Sequence, residues 1–205
     1  MVSYKTIKLG AICIILILVF GYLPTPVGAQ GSSVTPYQLH HLASYSDRNE
    51  TEQSGILREI EVDNLITLRI VQQPIGDSNF VTSLPNYVTE YQTASKYGSI
   101  GLLAHNHLAG QYFFQISPGQ KIKLVYSDTR TVSFVVTQIQ HYQALSPNSP
   151  TSDFIDPYSG DHLTSSELFK KIYEDQTGHL VLQTCIYDNQ IPTWGRLFII
   201  AEPIL

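Results

Sequence analysis

Residues 120–142, QKIKLVYSDTRTVSFVVTQIQHY, alternate apolar and polar side chains on both sides of a short polar turn. Ile122, Leu124 and Tyr126 mark one arm. Val132, Phe134 and Val136 mark the other, and Ser127, Asp128 and Thr129 lie between them. Successive side chains of a strand point to opposite faces, so this period of two predicts a hairpin with one buried face. An isolated hairpin is marginal in water, so the rest of the chain must supply further strands. ILREIEV (56–62) and LITLRIV (65–71) alternate in the same way around Asp63 and Asn64 and predict a second pair. SIGLLAH (99–105), HLVLQTC (179–185) and RLFIIAEPI (196–204) read as buried strands.

One helix interrupts this pattern. In LTSSELFKKIYEDQTG (163–178), Thr164 and Glu167 form a capping box, and Leu168 and Ile172 fall four apart on one face. Gly178 is expected to end it. Residues 72–99 read as irregular, with Pro74, Gly76, Pro85 and Gly98 as turn signals, and 143–163 as a long loop rich in Pro, Ser and Asp. Thirteen tyrosines and eleven prolines favour β structure over helix. The expectation is one β-rich barrel or sandwich carrying a long loop with one short helix.

The first 29 residues stand apart. Lys5 and Lys8 precede an apolar run of about 15 residues from Leu9, and PTPVGAQG then breaks it, with Val27 and Ala29 as the small residues of a cleavage site. Residues 1–29 are expected to be a signal peptide or a retained membrane anchor, 30–55 a polar linker, and 56–205 the folded domain. Membrane contact is expected only through the N-terminal segment, with the domain outside the cytoplasmic membrane. The net charge of -5 argues against nucleic acid, because no basic cluster could release counterions from phosphates.

Once the leader and its Cys13 are set aside, Cys185 is the only cysteine. A lone thiol in an exported domain is either a buried small hydrophobe or a reactive group. Cys185 is expected to close a strand and open a loop running from Asp188 to Gly195. A thiol there would be both held and accessible, as nucleophilic catalysis requires. Free thiols ionise near about pH 8.5, so such a nucleophile needs a base or cation beside it. His105, where a buried strand meets a polar turn, is the candidate base. Its rival is His107, two residues on. Arg196 opens an apolar strand, LFIIA, and a guanidinium there could donate to a developing oxyanion. The bland alternatives are a core histidine and a surface ion pair.

The order and local text of these residues resemble the sortases, bacterial cysteine transpeptidases that act on surface proteins. The LLAHN stretch at His105 is similar to the family's Ala-Gly-His strand end, with Ala104 in place of the glycine. LQTC, Leu182 to Cys185, matches its Leu-x-Thr-Cys strand end, and Arg196 follows at the family's approximate spacing. The resemblance covers roughly residues 56–205. It implies an all-β fold, a sortase-like, mostly antiparallel β-barrel with a long loop carrying one short helix.

It also implies a catalytic set of His105, Cys185 and Arg196. Cys185 would attack a sorting-signal peptide, His105 would exchange protons, and Arg196 would hold the oxyanion. The partners implied are that peptide and an amine acceptor from the cell wall or another protein. No cofactor is expected. Calcium could be attracted by Asp153, Asp156 and Asp161, but such acids are more often simply solvated. The pair His105 and His107 as a metal half-site has no third ligand at suitable spacing. Another cysteine peptidase or hydrolase, and a catalytically inactive binding module, are the remaining alternatives.

Overall fold

A computed structural model describes residues 55–204. The expectations for 1–29 and for most of 30–55 fall outside these residues. No helix among the described residues is long and apolar enough to cross a membrane.

The two alternating segments at the start form β1 (Leu57–Val62) and β2 (Ile66–Gln72), paired antiparallel as expected. The hairpin is β5 (Lys121–Tyr126) and β6 (Thr131–Ala144). The three apolar runs become β4 (Ile100–Ala104), β9 (Leu180–Asp188) and β10 (Ile191–Pro203). The stretch expected to be irregular contains two further elements, β3 (Tyr87–Glu90) and the one-turn helix α1 (Gln92–Ser95). β3 carries no apolar alternation because both faces are buried and one is polar. Val88 joins the interior, while the Thr89 hydroxyl accepts the Thr82 backbone N–H at 2.8 Å.

Neighbouring strands run β10-β9-β4-β3-β2-β1-β5-β6, and β6 pairs back onto β10. The result is a closed eight-stranded barrel. Only β2–β3 and β4–β9 are parallel. The short strands β7 (Phe154–Ile155) and β8 (His162–Leu163) extend the sheet from β6 outside the ring. The loop expected over 143–163 is thus partly strand.

Two apolar layers hold the molecule together. Inside the barrel, Leu102, Leu180, Leu182, Leu197 and Ile199 meet the residues of β1, β2 and β5. A 3-10 helix (Ala109–Gln115) drops Phe113 into this interior. Outside it, Val181, Phe198 and Ile200 pack against Leu168 and Ile172 of α2 (Ser165–Ile172) and against Tyr173. β9 and β10 are therefore buried on both faces, which is why they read as unbroken apolar runs.

The expected capping box starts α2. Thr164 Oγ1 accepts the Glu167 N–H at 3.2 Å, and the Glu167 carboxylate accepts the Thr164 N–H at 2.8 Å. The helix stops at Ile172, short of the expected Gly178. Tyr173 leaves helical geometry at φ -122° and turns its ring into the outer layer. A 3-10 turn (Glu174–Gln176) follows, and Gly178 at φ +82° leads into β9.

The acids of the long connection support its own turns. Asp156 accepts the Tyr158 N–H at 2.9 Å, Asp161 accepts the Ser159 hydroxyl at 2.7 Å, and Asp153 accepts the Ser165 N–H at 3.3 Å.

Candidate active site

Cys185 does not close its strand. β9 continues to Asp188, β10 begins at Ile191, and only Asn189 and Gln190 turn the chain, at φ +48° and +64°. Two successive left-handed residues match the twist of a tight hairpin. That turn usually carries glycine second. Gln190 stands there instead, so the hairpin was read as a loop from Asp188 to Gly195. Arg196 likewise lies inside β10 rather than at its start. Between Ile191 and Gly195 the ladder is irregular, with extra residues opposite Tyr187.

The register then sets the site. Cys185 lies directly opposite Arg196. Thr184 is level with Ala104 across the parallel β4–β9 ladder, so His105, one residue on, comes level with Cys185. Side chains alternate faces along a strand. Leu182, Thr184 and Leu197 point inward, and Cys185 and Arg196 point outward with Val181 and Phe198. Strands lie about 4.8 Å apart, so His105, Cys185 and Arg196 form a row roughly 10 Å long.

Each of the three is held by its surroundings. The His105 carbonyl accepts the N–H groups of Leu108 and Gly110, both at 3.0 Å, which shapes the turn after β4. Its Nε2 lies 3.3 Å from the Val81 carbonyl. A carbonyl can only accept, so this contact keeps a proton on Nε2 and leaves Nδ1 for exchange. Behind the row, the buried Thr184 hydroxyl donates to the Ala104 carbonyl at 2.8 Å. Gly110 packs against this bond, and a Cβ there would collide with Thr184 Oγ1 and the His105 carbonyl. Arg196 Nη1 donates to the carbonyls of Gly195 (2.9 Å) and Thr193 (3.1 Å), and the guanidinium lies 6.0 Å from the Phe154 ring centroid. Among the described residues no carboxylate lies within ion-pair distance of it. The surface ion pair considered for Arg196 is not formed.

All three residues line one cleft of about 520 Å³. Leu103, Gln183 and Phe198 form its floor. Phe154, Leu168 and Phe169 wall one side, and Ser78, Asn79 and Val81 approach His105 on the other. The far end is aromatic, with Tyr91, Phe169 and Tyr173 packed edge to face or tilted at 5.2–6.3 Å. Tyr173 is buried, and burial pushes its phenol well above the ordinary range. It stays a neutral donor and bonds Gln183 Oε1 at 2.6 Å. His105, Cys185 and Arg196 are half-buried. The cleft thus joins an apolar slot to a nucleophile, a base and an unpaired cation.

His107 is exposed and does not line the cleft, though its ring is 5.6 Å from that of His105. Among the described residues no three His, Cys, Asp or Glu side chains cluster as metal ligands. Val81, Tyr173 and Gln183 were not singled out in the sequence. Val81 acts through its backbone, and the other two meet only across the tertiary fold.

Sortase A from Corynebacterium diphtheriae superposes on the chain with a TM-score of 0.50 at 13% identity, covering 87% of this chain and 72% of that one. The fold is that of a sortase. Sortase D5 from Clostridium perfringens, described as a transpeptidase, gives a TM-score of 0.46 at 14% identity over 79% and 89% of the two chains. Sortase A from Listeria monocytogenes gives 0.44 at 14% over 74% and 88%. No family model and no curated protein sequence matches the chain. The sortase fold accounts for the closed barrel and for the long connection packed on its outer face.

Proposed function

We propose that the chain is an extracytoplasmic cysteine transpeptidase that cleaves a peptide through a thioester and passes the acyl group to an amine. The observation that carries this is the row across β4, β9 and β10, with Cys185 opposite Arg196 and level with His105, at the mouth of a cleft large enough for an extended peptide.

The Cys185 thiolate attacks a backbone carbonyl of the peptide. Negative charge builds on the carbonyl oxygen, and Arg196, with no carboxylate competing for it, donates to that oxygen. The C–N bond breaks as His105 delivers a proton to the leaving amine. In the second half, the incoming amine gives a proton back to His105 as the thioester opens. The Val81 carbonyl holds Nε2–H throughout, so Nδ1 carries the traffic. Water in place of the amine turns the reaction into hydrolysis. The donor is a sorting-signal-like peptide whose apolar residues fill the aromatic slot. The acceptor is an amine of the cell wall or of another protein. Residues 1–29 hold the enzyme at the membrane or direct its export.

The test is mass spectrometry of the full chain after incubation with a peptide library. The expected result is an acyl adduct on Cys185 that is absent from Cys185→Ala. A thiol that gives no adduct, and that reacts with an alkylating agent only after unfolding, sinks the proposal.

A further inference from the structure

Next to the active-site row lies a second hollow, of about 440 Å³, lined by Asn106, His107, Phe114, Tyr187 and Pro192. It shares no lining residue with the peptide cleft. His105 lines the cleft and Asn106 lines the hollow, so the candidate base stands on their boundary. The boundary is tied shut, because Asn106 Nδ2 donates to the Pro192 carbonyl at 2.8 Å. Tyr187, two residues beyond Cys185, forms part of the opposite wall. The irregular ladder opposite Tyr187 is where β10 bends to make room.

The lining has a definite chemistry. Phe114 is 49% exposed and Tyr187 61%, with Ile191 also exposed at the hairpin tip. Exposed large apolar side chains that gather around one concavity mark a binding surface. No lysine or arginine lines the hollow, so an anionic guest has no counter-charge there. Acyl transfer to an amine also needs a second seat. The acceptor must reach both the thioester and His105 while the acyl chain still fills the cleft.

We infer that this hollow is the acceptor subsite, and that it seats the apolar side chain following the N-terminal amine of a peptide acceptor. The inference rests on the transpeptidase reading and names its second substrate. In the step served, the amine nitrogen bonds to the thioester carbon and the C–S bond breaks. The proton shed by the nitrogen passes to His105 and from there to the departing thiolate of Cys185.

The test uses the full chain acylated with a mixed set of acetyl-dipeptide benzyl thioesters. The adduct on Cys185 is read by mass spectrometry, and aminolysis by glycyl-phenylalaninamide is then compared with aminolysis by glycinamide. The aromatic acceptor is expected to react at least about tenfold faster. Phe114→Ala and Tyr187→Ala, both at half-exposed or exposed positions that do not build the core, should each bring the ratio toward one. Tyr158→Ala, in the distant 156–161 turn, should keep it. Equal rates with the wild type, a ratio unmoved by both substitutions, or a preference for glucosamine over both peptides would overturn the inference while leaving the acyl-enzyme intact. Absence of any adduct on Cys185 overturns the transpeptidase reading and this inference with it.

Discussion

Thr184 looks like an ordinary strand former in the sequence, yet its hydroxyl is the one side-chain link recorded between the strand of the nucleophile and the strand that ends at the base. Thr184→Val keeps the shape and removes the donor, leaving the Ala104 carbonyl buried without it. The expected cost is about 1–3 kcal/mol, read from urea unfolding, and Thr184→Ser should recover part of it. Equal stability of the Val variant would mean that the bond has little net value. Arg196 carries a different expectation. It has no ion-pair partner among the described residues, so its removal should act on the reaction more than on the fold. Arg196→Ala should lower acyl-enzyme turnover by roughly 10²–10³-fold with little change in melting temperature. A near-normal rate would remove Arg196 from the oxyanion. His105, Cys185 and Arg196 were legible because rare residue types stood at the ends of apolar runs. Val81 was not, because its contribution is a backbone carbonyl that any residue could present.

At the level of elements, legibility followed burial geometry. β1, β2, β5 and β6 show their period because one face is dry and the other wet. β3 shows none, since Thr89 is as buried as Val88 and satisfies its hydroxyl internally. The β9–β10 hairpin was concealed by Pro192 and by Gln190 in a left-handed position, so both Cys185 and Arg196 were placed at strand ends instead of within strands. α2 was legible from its cap, and the cap has a pH signature. The Thr164 N–H and hydroxyl both donate to the Glu167 carboxylate and hold its pKa below the usual carboxylate range. A depressed carboxyl stabilises the fold above its unfolded pKa, and that contribution is lost as pH falls through the folded value. Acidification through the carboxylate range should therefore loosen α2, which walls the cleft, before the barrel unfolds. Glu167→Gln keeps an acceptor that does not titrate. Hydrogen exchange across 164–172 should then lose its acid-induced rise. An unchanged pH profile would place the sensitivity elsewhere.

For the molecule as a whole, the decisive seam is β6 against β10, because that pairing converts a curled sheet into a closed barrel and leaves no edge in the ring. Gly195 sits in this seam, paired with Gln143 of β6 on one side and Ile186 of β9 on the other. A Cβ there would lie 2.5 Å from the Tyr142 carbonyl oxygen. That atom is backbone, so no side chain can swing aside to relieve the clash. Either β10 moves off β6 or Tyr142 moves, and Tyr142 is fully buried in the outer layer beside Phe198. Arg196 is the next residue and takes its two hydrogen bonds from the carbonyls of Thr193 and Gly195. Any shift that relieves the clash therefore also turns the guanidinium away from the sulfur across the ladder. Gly195→Ala should lose about 1–3 kcal/mol by overpacking, and its rate of adduct formation at Cys185 should fall further than the lost folded fraction explains. If the rate per folded molecule stays at the wild-type level, the closing seam and the reactive row are mechanically independent, and the barrel serves only to keep β4, β9 and β10 side by side.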